Sequence, residues 1–141
     1  LDSSVGGPSI EPDEPQERRR TVYSRISRLE LNAMLARFDF PDPNTHSDAR
    51  AQTTTPLQKL LVLNSPFMDT QSVALAESVR GAAEDDRTRL TQLYQAVYQR
   101  EPRSEERELA LSFLVSGPDN AASWTQLAQA LLAANEFLFL D

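Results

Sequence analysis

Asp39, Asp42, Asn44, His46 and Asp48 fall within ten residues and form the densest set of oxygen and imidazole ligands in the chain. Asp42, Asn44 and His46 stand at positions one, three and five of a calcium-loop register, in which alternate side chains meet one ion. That register also requires a glycine where Ser47 stands and a bidentate glutamate where Thr53 stands. The ordinary alternative is a run of Asx turns, each short polar side chain accepting from backbone two residues on. His46 is the only histidine, which excludes a zinc site built on several histidines. With Met34 or Met68 it has the ligand types of an axial haem pair, but a loop histidine and methionines on helix faces are ordinary structural placements. Ser47 or Ser65 with His46 and Asp39 has the composition of a hydrolytic triad, and neither serine carries the glycines of a nucleophile elbow. No catalytic or cofactor-binding residue is assigned, and the metal candidates reduce to Asp42, Asn44 and His46.

Basic side chains add a second motif. Arg18, Arg19 and Arg20 form either an anion patch or a solvated run paired with the acids before it. Arg20 and Arg50 could join Asp39, Asp42 and His46 in one ligand face, or simply neutralise the Asp-rich turn. Both readings stay open.

The segment that positions these groups is Thr53 to Phe67. Thr55 reads as a helix N-cap, Pro56 as the first helical residue, and Gln58 as the far half of a capping box. Leu57, Leu60, Leu61, Val62 and Leu63 leave little polar surface, which predicts a helix buried on most sides. Asn64 ends it, Ser65 caps the next helix and Pro66 opens it. Asn64 and Asn135 lie at or near apolar faces, where an amide needs partners, and are read as locks of the fold rather than ligands.

Elsewhere, helical spacing dominates. Residues 1–20 are rich in proline and charge, without apolar periodicity, and read as an extended arm or linker. Residues 21–28 carry Val22, Tyr23 and Ile26 and predict a short strand or extended segment. Leu31, Met34, Leu35 and Phe38 predict a short helix capped by Asn32, with Phe38 and Phe40 pinning the following turn. Three further apolar faces run through Leu75 to Val79, Leu90 to Tyr98 and Ala110 to Val115, with Gly81 and Ser104 as helix caps. A last helix carries Trp124, Leu127, Ala128, Leu131, Ala134 and Leu138. The fold class is mainly α: a single helical domain over 21–141, with five or six helices and an extended N-terminal arm.

Composition removes several function classes. The net charge of −7 argues against non-specific binding to nucleic acid or anionic membrane. Without cysteine, the segment cannot carry disulfides, thiolate zinc sites or covalently attached haem. No apolar run has the length of a membrane span. Leu1 in place of an initiating methionine is compatible with a piece of a longer chain, from which a leader or an upstream domain has been cut.

Six motifs, in order, resemble a known family. They are Gly6-Gly7-Pro8-Ser9, Arg18-Arg19-Arg20-Thr21-Val22-Tyr23, Phe38-Asp39-Phe40-Pro41-Asp42-Pro43, Thr53-Thr54-Thr55-Pro56-Leu57-Gln58, Leu63-Asn64-Ser65-Pro66-Phe67 and Asn135-Glu136-Phe137-Leu138. This succession resembles the C-terminal domain of unknown function of the planctomycete cytochrome C protein family. The resemblance implies a large exported parent protein, extracytoplasmic, with an upstream domain and in many members a haem c domain carrying Cys-x-x-Cys-His. It implies no cofactor in this segment and carries over no catalytic residue.

The reading that follows is a non-catalytic interaction or structural module of a larger exported, cytochrome-c-associated protein. Its partners would be upstream domains of the same chain, another extracytoplasmic protein or a polysaccharide. The alternative is one wall of a glycan-binding, redox or polysaccharide-processing site completed by upstream domains. A wall should gather Asp39, Asp42, His46 and arginines around a hollow, whereas a docking module should expose apolar surface.

Overall fold

A computed structural model of the chain describes residues 2, 4–12, 14, 16–46, 55–117 and 119–139. The described residues hold seven α-helices and no sheet, and group into two compact units, Leu1–Val62 and Leu63–Asp141. The mainly α expectation holds, with one helix more than the five or six expected.

In the first unit the N-terminal residues are extended but tied down. Asp2 N–H donates to Arg18 O at 2.9 Å, Ile10 N–H to Tyr23 O at 3.1 Å, and Arg25 N–H to Ile10 O at 2.8 Å. Gly6 and Gly7 turn the backbone at φ 79° and 93°, a region costly for any residue with a Cβ. The turn leaves Gly6 O and Pro8 O accepting from the Arg19 guanidinium, which also lies 4.4 Å from the Tyr23 ring centroid. The Nη atoms of Arg19 are thus bound to carbonyls, and Arg25 pairs with Glu11 at 3.0 Å. Residues 21–28 do not form a strand. Thr21–Tyr23 make a 3-10 turn, and only Ser24 reaches an isolated bridge with Ile10.

Asn32 caps α1 (Ala33–Arg37), its side chain accepting from Met34 N–H and Leu35 N–H. Leu35 is its buried residue, while Phe38 is exposed and does not pin the turn. The chain leaves through Asp39 at φ 57°, a left-handed position that Asp tolerates better than most residues. In α2 (Pro56–Asn64) the capping box is formed: Thr55 N–H donates to Gln58 Oε1 at 2.9 Å and Gln58 N–H to Thr55 Oγ1 at 3.3 Å. Gln58 Nε2 also donates to Arg37 O at 2.7 Å, so the end of α1 and the start of α2 share one side chain. The expected burial of α2 fails. Gln58 and Val62 are its buried residues, one turn apart, and the leucines on the other side face solvent.

The second unit is a helical bundle of α3 (Pro66–Ala82), α4 (Asp86–Tyr98), α5 (Ser104–Ser116), α6 (Asn120–Leu132) and α7 (Asn135–Leu138). Helix α3 packs chiefly on α6 and then on α4, and α5 bridges α4 and α6. Ala76, Val79, Leu90, Leu93, Tyr94, Ala110, Leu114, Trp124, Ala128 and Leu131 form the core. Its two buried serines are satisfied within their own helices, Ser72 on Met68 O and Ser123 on Asp119 O. Ser65 Oγ accepts from Met68 N–H behind Pro66, and Asp85 caps α4 through Thr88 N–H.

Three boundaries differ from the sequence reading. Gly81 lies inside α3, whose C-cap is Ala83. Ser104 is the first residue of α5, and Arg103 precedes it as N-cap. The last helix is broken at Ala133 and Ala134, where Ala134 N–H turns back to Leu131 O and α7 starts afresh.

Candidate functional site

The Asp-rich turn spends its polar groups on backbone. Asp42 Oδ1 accepts from Asn44 N–H at 2.8 Å, and Asn44 Nδ2 donates to Arg28 O at 2.6 Å. This is the Asx-turn arrangement. Asp42, Asn44 and His46 are exposed, Asp39 is half-buried, and Arg20 is exposed ahead of the 3-10 turn. Among the described residues no three His, Cys, Asp or Glu side chains converge to hold a metal ion. Arg50, Ser47, Asp48 and Thr53 lie outside the described residues. Asn64 and Asn135 are both exposed, the first at the end of α2 and the second opening α7, rather than on apolar faces.

The strongest electrostatic constellation lies instead at the corner where α4, α5, α6 and α7 meet. Arg100 follows α4, whose C-cap Gln99 sits at φ 59° and turns the chain sharply. The Arg100 guanidinium donates from Nε to Glu136 Oε1 at 2.6 Å and from Nη2 to Glu136 Oε2 at 2.9 Å. It donates from Nη1 and Nη2 to Glu106 at 2.8 Å each, and from Nη1 to Glu101 O at 3.0 Å. All five donors of the fork are matched. Glu106 Oε2 also accepts from Arg103 N–H at 2.7 Å, which joins the clamp to the start of α5.

Two tyrosines form the apolar back of this corner. Tyr94 and Tyr98, one turn apart on α4, meet edge to face with centroids 5.5 Å apart. The guanidinium carbon of Arg100 lies 5.5 Å and 5.3 Å from their ring centroids. Tyr98 donates its hydroxyl to Leu131 O at 3.0 Å, reaching the end of α6.

The electrostatics follow from these contacts. Hydrogen bonds from Arg100 hold the Glu106 carboxyl down at about 2, and the same donor lowers Glu136. Burial, then the nearby Glu136 charge, pushes the Tyr98 phenol up to about 12; burial likewise raises Tyr94. Each group is thus driven away from neutral pH, the reverse of what acid–base catalysis needs. The corner is a lock: charged and aromatic groups tie four helices, with every guanidinium donor already used.

Sequence reasoning missed this corner. The Tyr94, Tyr98, Arg100 spacing and the Glu106 that follows Arg103 by three residues were its only local signs. Glu136, thirty-six positions after Arg100, offered none.

No curated protein and no solved structure matches the chain. A family model does match residues 1–114, most of the sequence. The chain belongs to the family described as PSD1, a protein of unknown function (DUF1553).

Proposed function

We propose that this chain is a non-catalytic docking module of a larger exported protein, packed against upstream domains of its own polypeptide. The supporting observation is α2. Leu57, Leu60 and Leu63 are 67%, 53% and 44% exposed, on the side of the helix away from Gln58 and Val62. An amphipathic helix with its apolar residues in water is costly at roughly 25 cal/mol per Å² of apolar surface, and covering that stripe would recover the loss. The resemblance to the planctomycete cytochrome C family supports an extracytoplasmic parent with haem c in an upstream domain. The competing reading, a wall of a glycan or redox site, finds less support, because Asp42 and Asn44 are occupied by Arg28 O and by their own turn.

The DNA upstream of the Leu1 codon tests this directly. An open frame encoding an export signal and a Cys-x-x-Cys-His site agrees with the proposal, and a start codon next to Leu1 sinks it. Within the parent protein, the Leu57→Ser/Leu60→Ser double variant should raise protease sensitivity at the junction with the upstream domain. Unchanged proteolysis would remove α2 from the interface.

A further inference from the structure

We propose that the groove between the starts of α4 and α5 binds a small ligand carrying a carboxylate beside a hydroxyl or ammonium group. Arg87 of α4, Pro102 of the connecting loop, and Ser104, Arg107 and Glu108 of α5 line this groove of about 270 Å³. The volume falls just below the roughly 300–1,000 Å³ typical of drug-sized ligands, which sets the ligand's size class.

Arg107 carries the argument, by contrast with Arg100. Arg100 has five donors and five acceptors. The Arg107 side chain is only 24% exposed, yet its single ion pair among the described residues, to Glu101, spans 3.8 Å, too long for a hydrogen bond. Its Nε is buried without a hydrogen-bond partner among the described residues. A guanidinium largely withdrawn from water with no hydrogen bond among the described residues is costly, and a planar carboxylate in the groove can meet its Nη1 and Nη2 donors together. Arg87, exposed and without an ion pair among the described residues, supplies a second cation, and Ser104 a hydroxyl. Glu108 sets the other half of the specificity. It disfavours a bare dianion and accepts from a hydroxyl or ammonium group next to the carboxylate. None of these residues belongs to the α2 stripe, so the groove and the docking role stand or fall separately.

Side-chain Nε–Hε resonances of the full chain, followed by NMR at constant ionic strength, test the groove with acetate and then lactate as probes. The expected result is a saturating shift of the Arg107 resonance, with half-saturation several-fold lower for lactate than for acetate. Glu108→Gln should erase the advantage of lactate, and Arg107→Gln should abolish saturation. Arg87→Ala, at an exposed position that does not threaten folding, should weaken binding several-fold. A shift that rises linearly, that appears equally on other exposed arginines, or that Arg87→Ala leaves unchanged would overturn the proposal.

Discussion

At the scale of single residues, the pH response of the corner follows from Glu106. Its carboxyl is held near 2 in the folded chain against an ordinary value of 4.5. A depressed folded value means that the group stabilises the fold fully above the ordinary carboxylate range. The contribution declines as pH falls below about 4.5 and is gone below about 2. Chemical denaturation of the wild type across this interval should therefore show stability falling with acid, and Glu106→Gln should flatten the slope. Equal slopes in the two proteins would mean that Arg100 does not hold Glu106 in solution. Tyr98 has the opposite dependence, because its raised value places the loss between pH 10 and about 12. Tyr98→Phe should cost about 1 kcal/mol at neutral pH, the worth of its hydrogen bond to Leu131 O, and reduce alkaline destabilisation. Gly117 gives a steric prediction. Its φ of −71° suits any residue, but a Cβ there would collide with the Ser123 side chain, which is buried and bonded to Asp119 O. Gly117→Ala should destabilise by roughly 1–3 kcal/mol, the range for overpacking. Combining it with Ser123→Ala should relieve part of the loss, which thermal melts of the four proteins would reveal.

At the scale of elements, most helix starts and the core faces of α3 to α6 were legible, and the face of α2 was not. Asn32, Thr55 with Gln58, and Ser65 could be read because a cap acts within three residues, using groups that the sequence places side by side. The stripe Leu57, Leu60, Leu63 was misread because an apolar run specifies only that burial is favourable, not which neighbour exists to provide it. Gly81 was misread as a stop because glycine is permissive rather than obligatory at a cap. The break at Ala133 and Ala134 had no glycine or proline to announce it. The ligand-like residues show the same limit: Asp42, Asn44 and His46 match a register by spacing, yet Asp42 and Asn44 serve the turn that spaces them. Gln58 is where element and residue meet, since it caps α2 and also satisfies the last turn of α1 through Arg37 O. Gln58→Ala should cost about 1–2 kcal/mol, more than the Thr55→Ala cap loss, because it strands the Arg37 carbonyl as well as the Thr55 N–H. Similar losses from the two variants in urea denaturation would show that the Arg37 contact contributes little.

At the scale of the whole molecule, the family match and the folding unit do not coincide. The match ends at residue 114, inside α5. The core of the second unit draws Trp124, Ala128 and Leu131 from α6, and α3 packs on α6 more than on any other helix. Trp124 is fully buried, and its indole N–H has no hydrogen-bond partner among the described residues, so the site is held by apolar packing. Removing a buried tryptophan side chain typically costs about 3–5 kcal/mol, a large share of the 5–15 kcal/mol that stabilises a small domain. A chain cut to residues 1–114 loses that side chain and two more core residues together. It should show no cooperative thermal transition by far-ultraviolet circular dichroism. A fragment spanning 63–141 retains every core residue of the unit, together with the Arg100 clamp. It should melt cooperatively, with the single tryptophan emitting at the short wavelengths of an apolar site until the transition. Cooperative melting of 1–114 would mean that α6 is dispensable to the core. Failure of 63–141 would mean that residues before Leu63 contribute stability that the bundle does not supply alone.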